Sequence, residues 1–199
     1  MLPVAAGAER LTEAMRSLEA VFLIGVEGVT EIWLVRHADS YQDISERADP
    51  PLSVLGRQQA GLLAARVREL YRRPTAVYSS PYRRALETAR TITDDVKIDE
   101  RLIEMDMELG DGGALEFKEL PANVIDRMSA AIDEIANAHP GERVIVVTHG
   151  AAMITYLTHV LRLEPGHLRF LPYYTSVNVV RVLADMQVVG TLGDVAHLE

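Results

Sequence analysis

The chain has 199 residues, 48% of them hydrophobic and 25% charged, which suits one packed domain and excludes a disordered or fibrous chain. Twenty Lys+Arg against 29 Asp+Glu give a formal charge of −9, a poor basis for non-specific nucleic-acid binding that still leaves room for a small anion in a local cationic pocket. With no cysteine, disulfide frameworks, thiolate zinc sites, iron–sulfur clusters and cysteine nucleophiles are excluded.

Leu11, Ala14, Met15, Leu18, Val21 and Phe22 recur at helical spacing, so an amphipathic helix is expected over residues 8–23. It reads as an N-terminal extension covering the core rather than as a partner helix. Residues 1–8 lack the basic start of a secretory signal, and the apolar stretch 20–26 is far short of the roughly 20 residues of a membrane span. A cytoplasmic protein with no membrane partner is expected. Glu31 to Arg36 is a strand that gives way to a polar loop at His37. Ser53 caps a helix through Leu70 whose apolar face runs Leu55, Leu62, Leu63, Val67 and Leu70. Thr75 to Ser79 is a second strand, and Pro81 suits the first turn of a helix to about Ile92. Asp94 to Asp99 is a polar turn with a brief strand, and 100–121 is the least regular loop. Asn123 to Ala138 is a helix with Val124, Met128, Ala131, Ile132 and Ile135 inward. Val144 to Val147 is a strand buried on both faces. A helix then runs from about Gly150 to Leu163, and Val177–Leu183 and Met186–Thr191 are two final strands.

Strands alternating with helices predict an α/β fold, a largely parallel sheet covered on both faces, whose ligands sit beyond the carboxyl ends of the strands. Three sequence pieces put polar groups there: Arg36-His37, Ser79 to Arg84, and His149-Gly150. Two histidines beside arginines suit phosphoryl chemistry, because imidazole can be a nucleophile and guanidinium forks match phosphate oxygens. Metal binding fits worse, since the arginines repel a cation and no His-x-x-x-His or carboxylate cluster accompanies them. A serine hydrolase fits worse too, for want of a Gly-x-Ser-x-Gly elbow.

The same blocks resemble the histidine phosphatase, or phosphoglycerate mutase-like, superfamily. LVRHADS at 34–40 is similar to its LVRHGET signature, and DPPLSVLGRQQA at 49–60 to its D-x-P-L-T-x-x-G-x-x-Q-A. YSSPYRRALETA at 78–89 is similar to S-S-P-L-x-R-A-x-x-T-A, RLIEMD at 101–106 to R-L-x-E, and VVTHGAAM at 146–153 to V-V-x-H-G. The resemblance covers 31 to about 191 and implies one domain over 1–199, a three-layer α/β/α sandwich. It implies that His37 is the phosphorylated nucleophile, that Arg36, Arg84 and His149 hold the phosphoryl oxygens, and that Glu104 is the general acid and then base. The pattern puts one variable residue before its arginine, so that arginine is Arg84, and Arg83 reads as a solvated helix residue. Asp106 and Glu108 are the alternatives to Glu104. The signature's glycine is Ala38, and its later asparagine is Asp43, an acceptor-only anion in place of a neutral donor. His139, His159, His167 and His197 read as ordinary surface or helix-end residues; Tyr173 and Tyr174 either rim the pocket or pack under the final strand.

The resemblance implies a phosphoric monoester hydrolase of the histidine acid phosphatase type, with no cofactor and no metal. Its substrate would be a phosphorylated small molecule or protein, a phosphohistidine protein included. The alternatives are a phosphoglycerate mutase and a catalytically silent phosphate-binding protein. Family mutases use a long basic insertion after the glutamate loop, whereas residues 113–143 here hold three Lys/Arg against six Asp/Glu. A silent protein would be expected to have lost His37 or a clamp arginine, and neither is lost.

Overall fold

The computed structural model describes residues 4–40, 49–110 and 113–199. The apolar runs pair where the sequence places them: β1 (Thr30–Arg36), β2 (Ala76–Ser79), β3 (Val96–Ile98) and β6 (Arg143–Thr148) are parallel, in the order β3-β2-β6-β1. Beyond β1 the sheet continues with β7 (Val177–Leu183) and β8 (Met186–Asp194), both antiparallel to their neighbours. Alternation along the central strands builds two cores. Ile32, Leu34, Val144 and Val146 face α4 (Pro121–Ala138) and α5 (Gly150–Val160), packing with Met128, Ile132 and Leu157. Trp33, Val35, Ile145 and Val147 face α2 (Val54–Glu69) and α3 (Arg83–Arg90), packing with Leu63, Val67 and Ala89. This is the expected three-layer α/β/α arrangement around a mostly parallel sheet, and the five inward residues named for α4 are all buried.

Four expectations are corrected. The N-terminal helix α1 runs Val4–Val21, but its described side chains cover no core: Met15, Leu18, Val21 and Phe22 are 49–61% exposed. The helices that cover the two sheet faces are the other four, α2 and α3 on one and α4 and α5 on the other. Among the described side chains of this segment only Leu23, at positive φ where the helix ends, is buried. On α2, Leu55 and Leu62 face outward, and the inward residues are Gly56, Gln59, Ala60, Leu63, Ala64 and Val67. Backbone contact decides this rotation. A Cβ at Gly56 would stand 1.9 Å from Asp39 O, Ser53 N–H donates to that same oxygen, and Gln59 Oε1 accepts from Asp39 N–H. The small face of the helix thus lies against the loop that carries His37. Helix α3 starts at Arg83, not Pro81, because the Asp49 carboxylate, 34 residues back, accepts from Arg83 N–H and supplies the cap. Finally, the stretch read as irregular holds a 3-10 turn at Glu100–Leu102 and a hairpin, β4 (Met107–Leu109) against β5 (Leu115–Phe117). No helix among the described residues is long and apolar enough to cross a membrane.

Candidate active site

The parallel ladder continues one step past the strands. His37 N–H donates to Thr148 O (2.9 Å) and Ser80 N–H to Val147 O (3.0 Å), so His37, Ser80 and His149 leave the sheet side by side at its carboxyl edge. The rings of His37 and His149, both buried, lie 5.1 Å apart at 57°. Arg84, in the first turn of α3, donates from Nε to His37 Nε2 at 3.3 Å. The strand β7 runs antiparallel, so the segment leading into it starts at this same edge: Thr175 N–H donates to Arg36 O, and the Tyr174 ring stands 5.8 Å from His37.

These contacts set the protonation of both imidazoles. His37 Nδ1 is 2.8 Å from Ala38 O, and since a carbonyl only accepts, Nδ1 carries the proton. Nε2 is left with its lone pair toward Arg84. Burial, then the charges of Arg84 and Arg36, push the His37 pKa down to about 3, against the hydrogen bond to Ala38, so the ring is neutral at ordinary pH. His149 is likewise held well below the usual histidine value, by burial first and then by His37 and the arginines. Ser80 Oγ lies 2.8 Å from His149 Nε2 and accepts from Tyr82 N–H. When the serine hydroxyl donates to Nε2, the His149 proton sits on Nδ1, which is buried and has no protein partner.

Arg36 is positioned from three sides. Its Nη1 donates to Pro172 O (2.7 Å), its Cζ lies 4.1 Å over the Tyr174 ring, and a Cβ at Gly150 would come within 3.4 Å of its Nε. That Nε is a second buried donor without a protein partner. Unpaired buried donors are costly unless a ligand accepts from them, and two on one cationic edge suit an oxyanion. Glu104 adjoins this edge: Oε1 accepts from Ala152 N–H (2.8 Å) and Met105 N–H (2.9 Å), and Oε2 from Ala151 N–H (3.4 Å), seating the carboxylate on the first turn of α5.

The structure separates the alternatives. Arg83 is 51% exposed and pairs with Glu87, whereas Arg84 is 12% exposed and reaches Asp49 at 3.5 Å. Asp106 and Glu108 are exposed, the latter paired with Lys118. Asp43 lies outside the described residues. Tyr174 lines the site while Tyr173 is exposed. His139 closes α4 between Tyr78 and Glu142, and His159 and His167 are at no point of this edge. His197 is not an ordinary surface residue: its Nε2 bonds Thr175 Oγ1 at 2.9 Å, next to Tyr174. Sequence reasoning also assigned no role to Asp49, Ser80 or Arg127. The first two lay inside matched blocks; Arg127 gave no local signal, yet from α4 it donates to the carbonyls of Arg101, Ile103 and Glu104 and so holds the segment that carries Glu104. Among the described residues no group of three or more His, Asp or Glu is arranged to hold a metal ion.

The chain matches the histidine phosphatase superfamily (branch 1) over residues 32–118 and 110–195. It is a member of that superfamily. Within the superfamily it is 31% identical to a metal-independent phosphoserine phosphatase of Arabidopsis thaliana, with 85% of this chain and 84% of the relative covered. It is 28% identical to a probable phosphoglycerate mutase of Yersinia enterocolitica, with 85% and 95% covered. Among solved structures, YhfR of Bacillus stearothermophilus superposes with a TM-score of 0.69 at 29% identity, over 85% of this chain and all of that one. A phosphoserine phosphatase of Entamoeba histolytica, at 20% identity and a TM-score of 0.71 over 85% of this chain and 100% of that one, shares the histidine phosphatase fold.

Proposed function

We propose that the protein is a phosphomonoester hydrolase working through a phosphohistidine on His37, in the cytoplasm and without a metal. The observation that carries this reading is the pair of contacts on His37: Nδ1–H tied to Ala38 O, and an unprotonated Nε2 that accepts from the guanidinium of Arg84. In the first step the His37 Nε2 lone pair forms a bond to phosphorus as the ester P–O bond breaks. Arg36, Arg84 and His149 Nδ1–H hold the equatorial oxygens, and Glu104 gives its proton to the leaving oxygen. In the second step water adds to phosphorus, the P–N bond breaks, and Glu104 takes back a proton. Cations aimed at the developing charge do here what a metal ion does elsewhere.

Hydrolysis is favoured over mutase chemistry by what surrounds the site. A mutase must also hold the second anionic group of its substrate. The three cations of 113–143 are engaged: Lys118 with Glu108 and Glu116, Arg127 with Glu119, Arg143 with Glu31. A binding protein without catalysis is disfavoured by the seating of Glu104 on the α5 terminus beside the histidines.

The test is phosphate release from a panel of sugar phosphates, nucleotides, phosphoglycerates, p-nitrophenyl phosphate and a phosphopeptide, after dialysis against EDTA. Expected are hydrolysis without added metal and competitive inhibition by vanadate, which takes the geometry of a pentacoordinate phosphoryl group. Restoration of lost activity by a divalent ion, or isomerisation of a phosphoglycerate faster than its hydrolysis, overturns the reading.

The role of Glu104 is tested by its dependence on leaving group. An alkoxide needs a proton in the transition state and a nitrophenolate hardly does. Glu104→Gln is therefore expected to slow phosphoenzyme formation from a sugar phosphate far more than from p-nitrophenyl phosphate, as measured by pre-steady-state bursts. Equal slowing of both removes Glu104 as the acid.

A further inference from the structure

An open groove of about 630 Å³ runs along α5 from the edge of the active site, within the size range of small-molecule sites. Its inner end is formed by Met105 and Ala151, whose backbone N–H groups hold the Glu104 carboxylate. From there it follows one face of the helix, Ala151, Ile154, Thr155 and Thr158, for about 10 Å at the rise of an α-helix. Phe117 from the hairpin, Leu120 before α4, and Leu163 after α5 form its walls, and all three are exposed at 42–67%. Exposed apolar side chains concentrated in one concave strip mark a binding surface rather than ordinary surface scatter.

Its charge is as informative as its shape. Among the described residues that line it there is no Lys or Arg. The carboxylate in the lining, Glu119, is bound through both oxygens to Arg127, at 2.8 and 2.9 Å. The other ionisable group in the lining, the exposed His159, stands at the opposite end of α5 from Ala151, so near the ester an anionic leaving group would meet apolar walls and the paired carboxylate. A hydrocarbon one would meet what it needs.

We propose that this groove is the leaving-group subsite, and that the preferred substrates are phosphomonoesters of long-chain or aryl alcohols with no second anionic group. The proposal rests on the phosphatase reading, since it needs the ester oxygen at Glu104. Met105 and Ala151 both bond Glu104 and line the groove, so an alcohol whose ester oxygen meets Glu104 has the groove as the path for its carbon chain. That continuity favours substrate over a partner protein as the occupant.

The experiment compares kcat/KM for ethyl, butyl, hexyl and octyl phosphate, whose alcohols have nearly equal acidity, with phosphoserine and 3-phosphoglycerate. Expected is a rise with chain length of up to about fourfold per methylene, the transfer increment of a buried CH₂, with both carboxylates poorer than butyl phosphate. Ile154→Lys is expected to flatten the alkyl series and to raise 3-phosphoglycerate relative to it. Phe117→Ser, at an exposed position that tolerates polarity, is expected to flatten the series without a lysine. A flat alkyl series in the unaltered protein, with any ester hydrolysed, overturns the subsite and leaves the phosphatase standing. No hydrolysis of any ester overturns both.

Discussion

His37→Ala is expected to abolish the phosphoenzyme and to lower kcat/KM for p-nitrophenyl phosphate by about 10⁴-fold or more, the scale of removing a nucleophile from a covalent mechanism. The reason lies in how completely the fold commits this ring. Its Nδ1 proton is tied to Ala38 O, burial keeps it neutral, and its unprotonated Nε2 lies at the one edge where Arg36, Arg84 and His149 converge. No other described nucleophile occupies that position; Ser80 is turned to His149 and to Tyr82. A phosphoramidate is labile to acid and stable to alkali, so rapid quenching into alkaline denaturant followed by intact mass separates it from a phosphoserine. Wild-type turnover by a correctly folded His37→Ala protein, checked by circular dichroism, would remove His37 as the nucleophile.

Arg84→Ala is expected to cost about 10²- to 10³-fold in kcat/KM, roughly 2.7–4 kcal/mol, as for deletion of an oxyanion donor. Arg83→Ala removes only an exposed ion pair with Glu87 and is expected to stay within a few-fold of wild type. The contrast is sharp because the two arginines are neighbours in sequence and opposite in environment. Loss of Arg84 has a second signature. Its charge is one of the causes that depress the His37 pKa, so without it the imidazolium becomes easier to form and the acid limb of the kcat/KM profile moves to higher pH. Burial stays, so the value remains below the ordinary one. A larger loss from Arg83→Ala than from Arg84→Ala would show that the neighbouring guanidinium holds the phosphate.

Much of this site was legible because it is built from strand ends. Alternation of apolar residues identifies β1, β2 and β6, parallel strands share a carboxyl edge, and the residues just past them are therefore neighbours. That logic brings His37, Ser80 and His149 together with no knowledge of their contacts. The family pattern that the 78–89 block resembles separates Arg84 from Arg83, and the helix period of α4 gives five of its six buried residues, all but Ala136.

Tertiary structure alone decided the rest. Periodicity shows that α1 has an apolar stripe but not whether anything packs on it, and Met15, Leu18 and Val21 stay exposed. On α2, bulk predicts Leu55 and Leu62 inward, yet the contact of Gly56 with the Asp39 backbone sets the rotation. Asp49 capping α3, Arg127 holding the Glu104 segment, and His197 bonded to Thr175 join residues 22 to 34 positions apart. The protonation state of His37 belongs with them, since it follows from burial and from a guanidinium 47 residues away. Local sequence dictates which face is apolar and where strands end; which surface remains free, and which charges meet there, depends on packing between segments that carry no mark of one another.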